Sequence, residues 1–364
     1  MFPSSPTRRL FRSLLRSSVV FGVRAESNGS GFVGRVRLFE RWQQNDAALE
    51  AEFEHSRAVL MIDKQPVVSS DDSSMRLVHF ETADLRSRLS DFGLEIHPAI
   101  NSCLLDLAPP TVEHGDLIDI RQLRRNLAAS LGGRFQNLRL AMLTLPVEED
   151  RLLLAKFQAL TRWYHVFRRC PTCTAPLRVR VSKCGARCIR CERDFYPTLS
   201  PVAICLVHDL QNEHCLLVRH RSSVPNVYTN VAGFASLGES LEQTVRREVA
   251  EEVGIELLDV RATNLSQPWP FPQSSLMCGY TATADPEQPF DVCPNELETA
   301  RWFPKAEVRA ALERTEGDPL FKQFTRSRLK KQDDNEEVDA DAFLYLPPHG
   351  AIAHQLIKRW IKES

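Results

Sequence analysis

Apolar positions change rhythm near residue 200. Beyond it they come in short runs suited to strands, over 202–207, 215–218, 231–233, 260–263 and 276–281. One strong helix interrupts them: over 241–253, Val245, Val249, Ala250 and Val253 share an arc that must face a core. Ser240 and Gln243, three residues apart, form a capping box that starts this helix, and Gly254 is placed to end it. Mixed strands around a single helix predict a layered sandwich rather than alternating βαβ units.

The pattern before residue 200 is looser. Residues from about 31 to 143 read as an α+β region, with strand-like runs at 59–61, 77–80 and 103–107 and helical spacing over 117–127. Nothing there carries a chemical signature, so the region reads as a support domain. From Pro146 a helix follows in which Leu153, Phe157, Leu160, Tyr164 and Phe167 recur at helical spacing, and it delivers the chain into Cys170. At the far end, residues 350–362 predict a short helix with Ile352, Leu356, Ile357 and Trp360 turned inward. Between Trp302 and Leu346 lies a polar insert, basic then acidic, whose charged part at about 322–342 predicts a disordered, solvated loop.

Composition narrows the partners. With 364 residues, 43% hydrophobic, 26% charged and a formal net charge of −1, the chain has room for two domains and no global field favouring nucleic acid or an anionic membrane. No apolar run is long enough to suggest a bilayer span. Charge is uneven at the start, where residues 1–25 hold five arginines, five serines and no acid. Leu10, Phe11, Leu14 and Leu15 share one arc there, and Arg8, Arg9, Arg12 and Arg16 the other. That is the description of a mitochondrial presequence; a plain basic tail, with a peroxisomal or cytosolic protein, is the alternative.

Two features carry chemistry. Glu248, Glu251 and Glu252 crowd one face of the 241–253 helix, near the end where its dipole disfavours negative charge. A divalent cation with a taste for hard oxygen ligands, Mg²⁺ or Mn²⁺, would resolve that conflict; on these residues alone a solvated acidic face competes equally. The second feature is Cys170-x2-Cys173-x14-Cys188-x2-Cys191, which fits a closed tetrahedral Zn²⁺ site better than redox pairs or disulfides. Cys184 is a poorer stand-in ligand by spacing. Arginines are frequent in this module, but no aromatic stacking surface is interleaved among residues 174–195.

Residues 233–255 match G-x5-E-x7-R-E-U-x-E-E-x-G-U, with U apolar, through Gly233, Glu239, Arg247, Glu248, Val249, Glu251, Glu252, Gly254 and Ile255. This is the Nudix box, and the chain resembles the Nudix hydrolases. The resemblance implies a Nudix α/β/α sandwich, Glu248 and Glu252 as metal ligands, Glu251 as their support or the ligand of a further ion, and the Ala232 carbonyl as a backbone ligand. It implies Glu296 as an additional carboxylate and an Arg247–Glu239 ion pair bracing loop and helix. Eleven residues past Ile255 stands Ser266-Gln267-Pro268-Trp269-Pro270-Phe271-Pro272-Gln273-Ser274, where prolines stiffen a loop able to present flat rings for stacking. With the Nudix box and the cysteine spacing, this segment resembles the zinc-ribbon NADH pyrophosphatase family over residues 150–364. That resemblance implies substrate contacts by 267–274, Tyr196 and Ala353.

The α+β chain is therefore divided into a presequence (1–25), a support domain (31–165), a zinc ribbon (166–198) and a Nudix domain (199–364). The expected reaction is hydrolysis of the pyrophosphate of NADH to reduced nicotinamide mononucleotide and AMP, with NADPH or NAD⁺ as further substrates. Removal of NAD caps from RNA is the enzymatic alternative, and a catalytically silent binding module the rival of another class. A nicotinamide dinucleotide, NAD-capped RNA and a second copy in a homodimer are the partners weighed; a membrane is not.

Overall fold

The computed structural model describes residues 32–363 apart from 63, 71–73, 93, 95, 98–103, 108–111, 118–123, 222–225 and 319–344. The basic start at 1–25 and the charged segment at 322–342 lie outside the described residues. The chain separates into two compact units, one ending at Thr198 and the other beginning at Leu199.

The first unit runs α1 (Phe32–Gln44), α2 (Asp46–Glu52), β1 (Arg57–Ile62), β2 (Gln65–Ser70), β3 (Met75–Leu77), β4 (His79–Glu81), α3 (Thr82–Ser90), β5 (Leu104–Leu107), β6 (Val112–Leu117), α4 (Arg124–Ser130), β7 (Arg134–Phe135), α5 (Leu138–Thr144) and α6 (Glu148–Val166). Its sheet follows the order β3-β2-β1-β6-β5, with β4 on β1 and β7 on β2. The helix expected over 117–127 is corrected. Leu117 instead ends β6, paired in parallel with Met61, residues 118–123 lie outside the described ones, and 124–127 are helical within α4. Strand pairing here outweighs a local helical pattern.

The cysteine module adds β8 (Leu177–Val179), β9 (Ala186–Cys188) and β10 (Asp194–Phe195), an antiparallel ribbon in the order β10-β9-β8. It is fastened to the support region. The Val181 N–H donates to Asp46 Oδ1 at 2.9 Å, Ser182 Oγ donates to the Gln43 carbonyl at 3.0 Å, and Val181 is buried with Leu49, Phe53 and Leu60.

The second unit contains β11 (Ser200–His208), β12 (His214–His220), β13 (Val231–Phe234), α7 (Leu241–Val253), β14 (Leu257–Trp269), β15 (Ser275–Ala284), β16 (Leu297–Pro304), α8 (Lys305–Gly317) and α9 (Ile352–Lys362). The sheet order is β14-β15-β11-β12-β16, with β13 also on β11. Alternation along the strands assigns the faces. Ala203, Cys205 and Val207 of β11 and Leu216 and Val218 of β12 pack with Val245, Val249 and Val253 of α7. Ile204, Leu206, Cys215 and Leu217 pack on the opposite side with α8 and α9. The result is a helix–sheet–helix sandwich.

In the second unit β16 and α8 go unread in the sequence. They fall at the start of the polar insert, so a further helix stands between the 241–253 helix and the expected one at 350–362. In α8 only Val308, Ala311, Leu312 and Thr315 are buried, a narrow apolar stripe that charged neighbours obscure. The aromatic-proline segment is also less of a loop than expected, since β14 continues through Trp269, opposite Ser275. Pro268 is tolerated there because β14 is an edge strand, where a missing N–H breaks no ladder.

Candidate active site and metal centre

The active face is assembled by α7 and the β13 turn before it. Both arms of the capping box form: Gln243 N–H donates to Ser240 Oγ at 3.2 Å, and Ser240 N–H donates to Gln243 Oε1 at 2.8 Å. Gly254 ends the helix at φ 75°, a left-handed conformation that a side chain disfavours, and an added Cβ would meet Asp291 Cβ at 2.6 Å. Within these limits Arg247 spreads its guanidinium over five acceptor oxygens of four residues. Nε and Nη2 reach the two oxygens of Glu239 at 2.6 and 3.0 Å, Nη2 also reaches the Phe234 carbonyl at 2.8 Å, and Nη1 reaches Glu248 and Glu251 at 2.8 Å each. That ion pair, with a Ser236 N–H bond and Thr244, holds the Glu239 carboxyl down to about 2. Arg247 therefore ties the β13 loop to the helix and orients two of the three clustered glutamates.

Gly233 is required by contact. A Cβ at this position would lie 1.9–2.2 Å from the Glu248 carboxylate, so only glycine lets that carboxylate lie against β13 beside Ala232. Burial pushes the Glu248 carboxyl up, with Glu251 and Glu296 adding to the shift and Arg247 opposing it.

Glu252 is the unusual member. It is 2% exposed, its Oε2 has no hydrogen-bond partner, and its carboxyl is pushed up to about 8 by burial first and then by Glu248, Glu296 and Glu251. A buried carboxylate without a partner is costly unless it is protonated or meets a cation. Hard oxygen donors, one of them orphaned, fit a divalent metal. Glu296 belongs to the same electrostatic cluster, and its segment is tied to the helix by the Cys293 N–H, which donates to the Glu252 carbonyl at 2.9 Å. His220 joins it: burial lowers the imidazole pKa while Glu296 opposes the change. The sequence offered no signal for this histidine beyond its place at a strand end.

The four cysteines of the ribbon form a tighter set. Their sulfurs all lie within 4.8 Å of one another, with Cys170 and Cys191 3.6 Å apart and Cys173 and Cys188 3.4 Å apart. These separations exceed a disulfide bond and suit the edges of a thiolate tetrahedron, so the residues fit Zn²⁺. Backbone N–H groups of Arg190 and Cys191 point at Cys188 Sγ, each at 3.4 Å. The Cys191 N–H bond leads the causes that lower the Cys188 thiol to about 6. Cys184 stays apart, its Sγ bonded to the Ser182 carbonyl at 3.4 Å and its thiol pushed up by burial.

The remaining sequence candidates are distributed over both units. Tyr196 is exposed in the first, with the Arg180 guanidinium 6.0 Å from its ring. In the second, Trp269 and Phe271 pack edge to face with centroids 5.5 Å apart. Pro270 is buried and Pro272 exposed. Gln273 Oε1 accepts from Ser200 Oγ at 3.3 Å, and the Ser274 carbonyl accepts the Ser200 N–H at 2.8 Å. Gln267 is directed to the start of α9 rather than outward, and Ala353 is buried in α9.

Comparison with known proteins agrees with this geometry. Residues 198–324 match the NUDIX domain. An NAD-capped RNA hydrolase from Caenorhabditis elegans is 46% identical over 346 residues, 91% of this chain and 90% of that protein. A mitochondrial NAD(P)H pyrophosphatase from Homo sapiens is 31% identical over 346 residues, 92% of each chain. A second human protein, an NAD-capped RNA hydrolase, is 31% identical over 223 residues, 59% of this chain and 42% of that one. With its carboxylate helix, its four-cysteine ribbon and these full-length relatives, the chain belongs to the Nudix hydrolases of the NAD(P)H pyrophosphatase type.

Proposed function

We propose that the protein hydrolyses the pyrophosphate of NADH, and of NAD⁺ or NADPH, to the nicotinamide mononucleotide and AMP (2′-phosphorylated AMP from NADPH), using Mg²⁺ or Mn²⁺. The observation that carries this reading is Glu252, a buried carboxylate with an unpartnered oxygen among Glu248, Glu251 and Glu296. Glu248, Glu251, Glu252, Glu296 and the Ala232 carbonyl would hold the metal. When bound, it offsets pyrophosphate charge and acidifies water. The protein's own part is placement. Arg247 fixes Glu248 and Glu251, Gly233 makes room for Glu248, and burial keeps solvent from Glu252. In the reaction a water oxygen joins one phosphorus while the bridging oxygen leaves with the other. The segment 267–274 and the main chain at Ala353 would receive the dinucleotide, and Tyr196 of the first unit is kept as a separate candidate for a substrate contact.

A second reading, removal of NAD caps from RNA, is favoured by the name of the 46%-identical relative and uses the same bond cleavage. Products and kcat/KM compared for NADH, NAD⁺, ADP-ribose and NAD-capped RNA decide between them. Superior turnover of ADP-ribose would overturn the dinucleotide assignment. Phe271→Ala should raise KM for NADH about 5- to 150-fold with metal affinity intact, the worth of one ring–base contact. An unchanged KM together with a lowered Tm would make the segment a structural plug. We further propose that residues 1–25 direct the protein to mitochondria, as their Arg-rich amphipathic pattern and the name of the mitochondrial relative suggest. The fourfold division at 1–25, 31–165, 166–198 and 199–364 is retained as part of this proposal.

A further inference from the structure

The strand that leads into Trp269 also seats the C-terminal helix. Gln267 Oε1 accepts from the Ile352 N–H at 2.9 Å, and its Nε2 donates to the Gly350 carbonyl at 2.5 Å. Both polar atoms of the side chain are thereby engaged by main chain at the start of α9. The helix has use for such a partner. Every helix start leaves N–H groups without intrahelical acceptors, and the N-cap of α9 is Ala351, which has no side-chain acceptor to offer. Where α7 is capped by its own Ser240, α9 is capped from another element.

The surroundings are built to the same end. Between Ala262 and Ser266 the register of β14 against β15 slips. In that irregularity Thr263 Oγ1 donates to the Gly279 carbonyl at 2.7 Å and accepts from the Leu265 N–H at 3.2 Å. Asn264 is left to accept from Arg359 Nη1 at 2.6 Å, near the other end of α9. Gly279 allows a close approach, because a Cβ there would meet Thr263 Oγ1 at 2.8 Å and Leu356 Cδ2 at 3.2 Å. Leu265 packs against the buried cluster that contains Ile352, Ala353 and Leu356. One strand thus fixes both ends of one helix.

We propose that Gln267 is a positioning residue for the dinucleotide: it holds the first turn of α9 in register with Trp269 and Phe271 and does not itself touch the substrate. The inference rests on the reading above, in which 267–274 and Ala353 receive that substrate, and narrows it at Gln267, whose two side-chain polar atoms are both taken by main chain. Ala353 is only 4% exposed, so it can meet a ligand through its main chain, and Gln267 bonds the peptide groups on either side of Ala351. The test pairs hydrogen exchange of the substrate-free full-length chain with steady-state kinetics. Gln267→Met keeps length but makes neither bond; Gln267→Glu keeps the acceptor for Ile352 and loses the donor. Two hydrogen bonds of ordinary net worth correspond to roughly tenfold or more. Gln267→Met should therefore speed amide exchange over 350–356 by about tenfold and raise KM for NADH similarly, with kcat within about twofold. Gln267→Glu should fall between it and the parent in both measurements. A raised KM with exchange unaltered would mean that Gln267 touches substrate directly. Faster exchange with KM unaltered would make the clamp merely structural. Either result, or no change in both, overturns the proposal. Should the parent enzyme fail to cleave NADH, the substrate reading falls separately. Exchange then still reports on the clamp, and KM is compared with the dinucleotide the parent does cleave.

Discussion

The ribbon cysteines and the α7 carboxylates are both sets of side chains that repel one another when ionised, and they are relieved differently. In the ribbon the four sulfurs are drawn within 4.8 Å, and backbone N–H groups already face Cys188. Among the described residues no other group of three or more such ligand atoms is gathered so closely. In the second unit the carboxylates stand further apart. Two of them lean on Arg247, while Glu252 keeps an oxygen with no partner. A closed, satisfied set holds its ion as part of the fold. A spread set with one strained member leaves room for a substrate oxygen and favours the charge it will meet during reaction.

The largest effect that distinguishes the two should come from Glu252→Gln. The exchange keeps shape and removes one charge. Loss of about 3 kcal/mol of transition-state stabilisation corresponds to a fall in kcat of about 10²-fold. Calorimetry should show Tm changed by only a few degrees. Near-normal turnover in saturating Mg²⁺ would remove Glu252 from the reaction and with it the contrast drawn here.

Cys188→Ser should give the reverse balance. Losing one thiolate opens the tetrad, so metal analysis should show zinc lost. If about 3 kcal/mol of stability goes with it, Tm should drop by roughly 6–12 °C for a unit of this size. The kcat of protein that remains folded should stay within about twofold. A variant with full zinc content and unchanged Tm would show that the four sulfurs are not a structural metal site.

How much of this could be read in the sequence follows the same contrast. Cysteine spacing and the Nudix box are local patterns, so Cys170, Cys173, Cys188, Cys191 and the α7 carboxylates could be named with their helix boundaries. Strands buried on both faces, such as β11, announced themselves as short apolar runs. What stayed hidden depends on partners distant in the chain. Leu117 is strand because Met61 pairs with it, and α8 is helix because its narrow stripe meets the far face of the sheet. Gln267 looked like one more polar residue in a substrate motif, and only the folded chain shows it bonded 83 and 85 residues away. His220 is drawn into the carboxylate cluster in the same way, through a neighbour, Glu296, that lies far along the chain.

The smallest effect is a matter of pH, and it sharpens the claim that the carboxylate cluster is frustrated without its cation. The folded Glu252 carboxyl sits at about 8 against an ordinary 4.5. Between those values the folded protein keeps a proton that the unfolded chain has released. The unfolded state then binds fewer protons, so stability falls as pH rises through that window and levels off above about 8. Glu239 works with the opposite sign and in another range: held at about 2, it contributes stability above 4.5 that is lost only as pH falls toward 2. From pH 5 to 8.5 the Glu239 contribution is therefore nearly constant, and the slope belongs to Glu252 and to groups common to both proteins compared. Parent enzyme dialysed free of Mg²⁺ and Mn²⁺ should lose Tm across this range faster than Glu252→Gln, and the two curves should diverge steadily up to about pH 8. Adding Mn²⁺ to the parent should recover most of the difference, because a bound cation takes the place of the proton. Parallel curves for the two proteins would mean that Glu252 is ionised and comfortable without a metal, and the carboxylate face would then not be frustrated.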